Sequence, residues 1–309
     1  MSRAYVFPGQ GAQTIGMGKA LAEVYPAARA VFDEVDDALG QKLSALIWEG
    51  SIEELTLTAN AQPALMATSI AALRALESEG LGLAQVSFVA GHSLGEYSAL
   101  CAAGALGLAD TARLLRIRGR AMQEAVPVGV GAMAALLGLD FAKAVEVAAE
   151  AAQGEVCQAA NDNDPAQVVV SGHRAAVERA LEIAKTKGAK RAILLPVSAP
   201  FHCALMAPAA EVMAGALASV TISKPLVPVV ANVRAEAVSD PDTIRALLVQ
   251  QVTGSVRWRE SVLWMEQAGV TEFWEIGAGK ALSGMIRRIA SGAETRAVGT
   301  PEDVMAAKG

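Results

Sequence analysis

The sequence predicts an α/β protein with a mostly parallel sheet, interrupted by a small α+β insert. Three observations predict it. Val86 to Ala90 is apolar except for Ser87, as expected of a strand covered on both faces. Helical patterns lie on either side of that strand. From about Gly129 to Pro196 the order becomes strand, helix, strand, helix, strand, between two longer α/β parts.

The elements follow in order. Ala4 to Phe7 reads as a buried strand, ended by Pro8-Gly9-Gln10-Gly11. Met17 to Leu39 is mostly helical, and Gln62-Pro63 opens a helix to about Ser78. Asp110 to Ala125 has strong helical spacing. In the insert, MAALLGL, Gln167 to Ser171 and Ala192 to Pro196 are strands, and Asp140 to Ala152 and Ala175 to Thr186 are helices. The last part, Ser198 to about Ala290, contains strands at VPVVANV and TEFWEIG. The expected domains are a core of residues 1–127 and 197–290, an insert of 128–196 and a peripheral tail of 291–309.

The chain has 309 residues, enough for a large core and a smaller lobe. Its net charge of −6, with no long basic run, disfavours a nucleic-acid partner. Cys101, Cys157 and Cys203 are widely spaced, fitting neither a disulfide framework nor a metal site, and suit a reducing compartment. The opening residues lack the long apolar stretch of a secretory signal. The longest apolar run, Val128 to Leu139, contains three glycines and is too short to span a bilayer. The expectation is a cytoplasmic protein without membrane association.

The chemistry centres on Gly91-His-Ser-Leu-Gly95, a G-x-S-x-G motif between a strand and a helix. A sharp turn there projects the Ser93 oxygen outward, and the helix N-terminus offers N–H groups, Leu94's among them, to an oxyanion. A glycine-rich turn with a capping serine is the structural alternative. A serine nucleophile needs a base. Of His92, His173 and His202, the last sits at a strand-to-helix junction in the final α/β part and is the best candidate. Asp162 and Asp164 lie between Ser93 and His202 in sequence, but inside the insert, so no acid partner is evident. In the helix DTARLLRIRGRAMQEA, Arg113, Arg116 and Arg120 share a face, whereas Arg118 projects from a stripe of Leu114, Leu115, Ala121 and Met122. A buried guanidinium needs an anion, either an internal carboxylate such as Glu96 or the carboxylate of a substrate. Dinucleotide and P-loop motifs do not fit: Gly129-Val-Gly131 enters a further strand, and Trp274 stands where a P-loop before Gly279-Lys280 needs glycine.

Seven stretches, FPGQGAQTIGMG (Phe7–Gly18), GHSLGEYSAL, RGRAMQEA, GVGAMAAL, VSAPFHCALM, PVVANV and EIGAGKALSGMIRR, occur in order between residues 7 and 288. On them the chain resembles the malonyl-CoA:acyl carrier protein transacylases and the acyltransferase domains of polyketide synthases. The resemblance implies a hydrolase-like α/β core with a ferredoxin-like insert, and a ping-pong transfer of malonyl from malonyl-CoA to the phosphopantetheine of holo-acyl carrier protein. It implies Ser93 as nucleophile, His202 as base, Gln10 and Leu94 as the oxyanion hole, and Arg118 on the malonyl carboxylate. Gln251 is implied to orient His202 through its backbone carbonyl, and Asn232 to support the site. Gln62 and Ser98 are weaker supporting candidates. Phe201, before His202, would crowd an α-methyl branch and is associated with malonyl selection in the polyketide relatives, while many stand-alone bacterial members carry Ser there. No bound cofactor or metal is expected, and a monomer is. Docking of an acidic carrier would use Lys185, Lys187, Lys190 and Arg191, or Lys280, Arg287 and Arg288, unless these are simply solvated faces. The competing functions are a serine esterase or thioesterase and an acyltransferase for another acyl-CoA.

Overall fold

The computed structural model describes residues 2–197 and 199–308; Met1, Ser198 and Gly309, which the sequence reading assigns to the core and the tail, lie outside them. Two sheets organise the chain. The larger contains β1 (Ser2–Phe7), β2 (Val86–Gly91), β7 (Val229–Ala231), β8 (Glu236–Val238), β9 (Val270–Ile276) and β10 (Glu294–Val298). Its strand order is β10-β9-β1-β2-β7-β8, parallel throughout except for the hairpin partner β8. The central strands β1 and β2 are apolar because helices cover both faces. Tyr5 and Phe7 belong to one buried cluster, and Ala4, Val6 and Ala90 to another.

The smaller sheet is antiparallel, in the order β4-β5-β3-β6, from β3 (Gly131–Leu137), β4 (Cys157–Asp164), β5 (Gln167–His173) and β6 (Arg191–Leu194). Period-two alternation divides its residues. Ala132, Ala134 and Leu136, with Val168 and Val170, pack on the helices Phe141–Ala152 and Arg174–Thr186. Met133, Ala135 and Val169 point the other way and join the main core. The insert therefore puts one face of its sheet over the C-terminal end of β2, which places a cleft there.

The structure corrects four sequence expectations. The insert has a fourth strand, β4, missed because QAANDND has no apolar alternation. Its acidic side chains are instead buried against the larger part: Asp162 accepts from Arg259 Nε at 3.0 and 3.1 Å, and Asp164 pairs with Arg288 at 2.8 Å. The helix expected from Gln62 begins at Thr58 with Pro63 inside it. So near the N-terminus, a proline removes only one of the early hydrogen bonds. Met17 to Leu39 divides into Lys19–Val24 and Pro26–Leu39, with Pro26 starting the second helix. The tail is not peripheral: β10 pairs with β9, and Val298 and Val304 are fully buried. Among the described residues no helix is long and apolar enough to cross a membrane.

Candidate active site

Ser93 sits where β2 ends and the helix Leu94–Ala102 begins. Its φ of +54° and ψ of −110° are costly for a residue with a side chain. The glycines around it make the turn possible. A Cβ on Gly91 would lie 1.9 Å from the Gly95 carbonyl carbon, and one on Gly95 would lie 2.2 Å from Phe7 O. Asn232, just after β7, braces the same turn: its Oδ1 accepts from Ser93 N at 2.8 Å, and its Nδ2 donates to Gly91 O at 2.7 Å.

His202 also has a left-handed backbone, φ +58°, and is buried. Its Nδ1 lies 2.9 Å from Gln251 O and 3.2 Å from Gly254 O. Two carbonyls accept only, so Nδ1 carries the proton and Nε2 is left with its lone pair. That lone pair faces Ser93 Oγ at 2.8 Å. Burial, and next the Arg118 charge, bring the His202 pKa down to about 3, so the ring is neutral near pH 7. His92 turns away, with Nε2 2.8 Å from Asn163 Oδ1.

Arg118 reaches the cleft from the helix Leu108–Glu124 and is 1% exposed. It donates to Gln62 Oε1 at 2.8 Å, Gln251 Oε1 at 2.9 Å and Ser93 Oγ at 3.2 Å. Its Nε has no hydrogen-bond partner among the described residues, and no ion pair forms with Glu96 or any other described carboxylate. The internal salt bridge weighed from sequence is absent because the Gln251 amide stands between the two groups. Arg116, grouped by sequence with Arg113 and Arg120, is buried too and bonds Asn60 and Gln41.

These groups line one cavity of about 550 Å³ between the sheets, with Gln10, Leu94 and Phe201 on its wall beside Ser93, Arg118 and His202. Gln10 and Leu94 carry N–H groups that donate to no described group. Gln62 also lines the cavity; Ser98 is buried outside it, its Oγ unpartnered among the described residues. Of the basic residues considered for docking, Lys185 and Lys187 pair with Glu182 and Glu150, and Arg288 with Asp164.

The acyl transferase domain family matches residues 4–295. The malonyl CoA-acyl carrier protein transacylase of Bacillus subtilis (strain 168) is 49% identical over 302 residues, 97% of this chain and 94% of that protein. The chain belongs to the malonyl CoA-acyl carrier protein transacylase family. Among solved members, the acyl-carrier-protein-S-malonyltransferase of Bartonella henselae has a TM-score of 0.97 at 58% identity, covering 99% of this chain and 98% of its own. A type II PKS malonyl-transacylase in complex with its acyl-carrier protein has a TM-score of 0.96 at 43% identity, covering 99% of each chain.

Within this transacylase fold, two features escaped sequence reasoning. One is the Gln251 side chain, whose Nε2 donates to Ser93 O at 2.9 Å and Glu96 Oε2 at 2.8 Å while its carbonyl bonds His202. The other is the place of Glu96, weighed from sequence only as an Arg118 partner: it is 2% exposed and accepts from Asn232 N at 3.0 Å. Burial raises its pKa to about 7, against the lowering effects of those hydrogen bonds and of Arg118. A carboxylate in the first turn of a helix of small apolar residues was the available signal.

Proposed function

We propose that this chain transfers a malonyl group from malonyl-CoA to the phosphopantetheine thiol of holo-acyl carrier protein, through malonyl-Ser93. The observation that carries the reading is a buried guanidinium without a carboxylate partner among the described residues, 3.2 Å from the hydroxyl that faces neutral His202. Such a guanidinium is ready for the free carboxylate of a malonyl thioester, held by paired hydrogen bonds.

In the first half-reaction, His202 Nε2 takes the Ser93 hydroxyl proton as Oγ bonds the thioester carbon. The Gln10 and Leu94 N–H groups receive the oxyanion. The carbon–sulfur bond then breaks, and His202 returns the proton to the coenzyme A sulfur. In the second, His202 takes the proton of the carrier's thiol, whose sulfur bonds the malonyl-Ser93 carbonyl carbon; the carbon–oxygen bond to Ser93 then breaks, and His202 returns the proton to Oγ. The Gln251 carbonyl keeps His202 in the tautomer both steps require, and Asn232 holds the elbow. Phe201 narrows the wall against an α-methyl branch, favouring malonyl over methylmalonyl.

Residues 1–127 and 197–290, extended by β10, form a hydrolase-like core, and 128–196 a ferredoxin-like subdomain. The parallel order of the large sheet and the β4-β5-β3-β6 order of the small one support this. The enzyme works as a cytoplasmic monomer, and the nucleophile, base, oxyanion donors and carboxylate receptor named above are all protein groups, so the reaction calls for no resident cofactor. The acidic carrier docks on basic side chains of the insert and the C-terminal part. Lys190, Arg191, Lys280 and Arg287 suit this best, being exposed and without an ion pair among the described residues.

The test is incubation with malonyl-CoA, with and without holo-acyl carrier protein. The expected product is malonyl-carrier, formed in proportion to carrier. Free malonate, released at a rate indifferent to carrier, would make the enzyme a thioesterase instead.

A further inference from the structure

The Gln251 side-chain amide sits between the Arg118 guanidinium and a set of acceptors, and both of its ends are committed. Its oxygen accepts from Arg118 at 2.9 Å. Its nitrogen faces Ser93 O at 2.9 Å, Glu96 Oε2 at 2.8 Å and Asn232 Oδ1 at 3.3 Å. Turning the amide over would set N–H against the guanidinium and oxygen against three acceptors. All three acceptors have another donor to serve: Ser93 O takes Glu96 N at 3.1 Å, Asn232 Oδ1 takes Ser93 N at 2.8 Å, and Glu96 Oε2 takes Asn232 N at 3.0 Å. Glu96 Oε2 makes the shortest of the three contacts. Glu96 and Gln251 are both buried, and neither lines the cavity.

We propose that Glu96 is a positioning residue for the carboxylate-binding end of the site. It fixes the Gln251 amide with its oxygen toward Arg118, so that the guanidinium is aimed at the incoming malonyl carboxylate. The inference rests on Arg118 receiving that carboxylate, as proposed above. Glu96 itself does not touch the substrate. Its function requires an acceptor oxygen rather than a full charge, and a carboxyl group offers one whether protonated or not.

The experiment compares single-turnover acylation by malonyl-CoA and acetyl-CoA in the parent, Glu96→Gln, Glu96→Met and Gln251→Met. Glu96→Met keeps side-chain length but removes the acceptor. It should lower the malonyl-to-acetyl rate ratio by up to about tenfold, the upper scale of a lost hydrogen bond. Glu96→Gln keeps an acceptor oxygen and should retain the ratio to within about threefold. Gln251→Met leaves the backbone carbonyl on His202. It should lower the ratio as Glu96→Met does, and adding Glu96→Met to it should lower the ratio no further. A merely structural Glu96 would slow both donors alike and leave the ratio unchanged, overturning the proposal, as would a Glu96→Gln ratio as low as that of Glu96→Met. Should Glu96→Met fail to fold, an unchanged ratio in Gln251→Met overturns it. A parent enzyme indifferent between donors would refute the carboxylate role of Arg118, and this inference with it. A selective parent with selective variants would refute this inference alone.

Discussion

Replacing Arg118 with Ala should separate carboxylate recognition from thioester chemistry. The side chain is buried and gives three hydrogen bonds, two to amide oxygens and one, at 3.2 Å, to Ser93 Oγ. A malonyl donor loses a buried charge partner, a cost of about 2–5 kcal/mol, or about 30- to 4000-fold in acylation. An acetyl donor presents no carboxylate. It loses only the long contact to Ser93 Oγ, about 1 kcal/mol or roughly fivefold. A compensation acts on both donors: the Arg118 charge is one cause of the low His202 pKa, so its removal makes the base stronger. The malonyl-to-acetyl ratio should therefore fall at least about sixfold, the quotient of the smallest malonyl loss and the acetyl loss. Quenched single-turnover acylation, read by intact mass with each donor, measures it. Equal losses with both donors would refute the reasoning, because Arg118 would then act on Ser93 or the fold rather than on the substrate's carboxylate.

Other substitutions probe the scaffold and the wall. Gly95→Ala should displace the helix after Ser93 and destabilise the protein by about 1–3 kcal/mol, since the new methyl would stand 2.2 Å from Phe7 O; an unaltered urea midpoint would contradict this. Phe201→Ser should raise methylmalonyl-CoA use relative to malonyl-CoA, and a constant ratio would remove Phe201 from donor selection. Stability should depend on pH through His202. Its folded pKa of about 3 lies below the ordinary 6.5, so its contribution is full above pH 6.5 and is lost as pH falls toward 3. Glu96 acts oppositely: its pKa is raised from 4.5 to about 7, so its contribution is full below 4.5 and is lost as pH rises through 7. His202→Asn should therefore lose less unfolding free energy than the parent between pH 7 and 5, as measured by urea titration. An equal loss would refute the buried neutral histidine.

Much of the candidate site's geometry was legible because it follows from local patterns. The elbow at Ser93 follows from an apolar strand meeting Gly-x-Ser-x-Gly, and Arg118 stands out because a charge interrupts an apolar helical stripe. Asp162 and Asp164 were opaque. Their stretch shows no apolar alternation, yet they lie in a strand whose carboxylates pair with Arg259 and Arg288, about a hundred residues away or more. Only the assembled fold brings such partners together. The tail was misread for a related reason, since β10 is a short edge strand whose register is set by β9 rather than by its own pattern. Glu96 and the Gln251 side chain belong to the same class: each is unremarkable in sequence, and their meaning comes from which buried donors and acceptors they meet.

The central claim is a malonyl-serine that hands its acyl group to a carrier thiol. Intact mass after brief exposure to malonyl-CoA, with peptide mapping, followed by addition of holo-acyl carrier protein, tests it most directly. One malonyl group should appear on Ser93, vanish onto the carrier, and never form in Ser93→Ala. A malonyl adduct persisting in Ser93→Ala, or an adduct on Ser93 that the carrier cannot clear, would contradict the account.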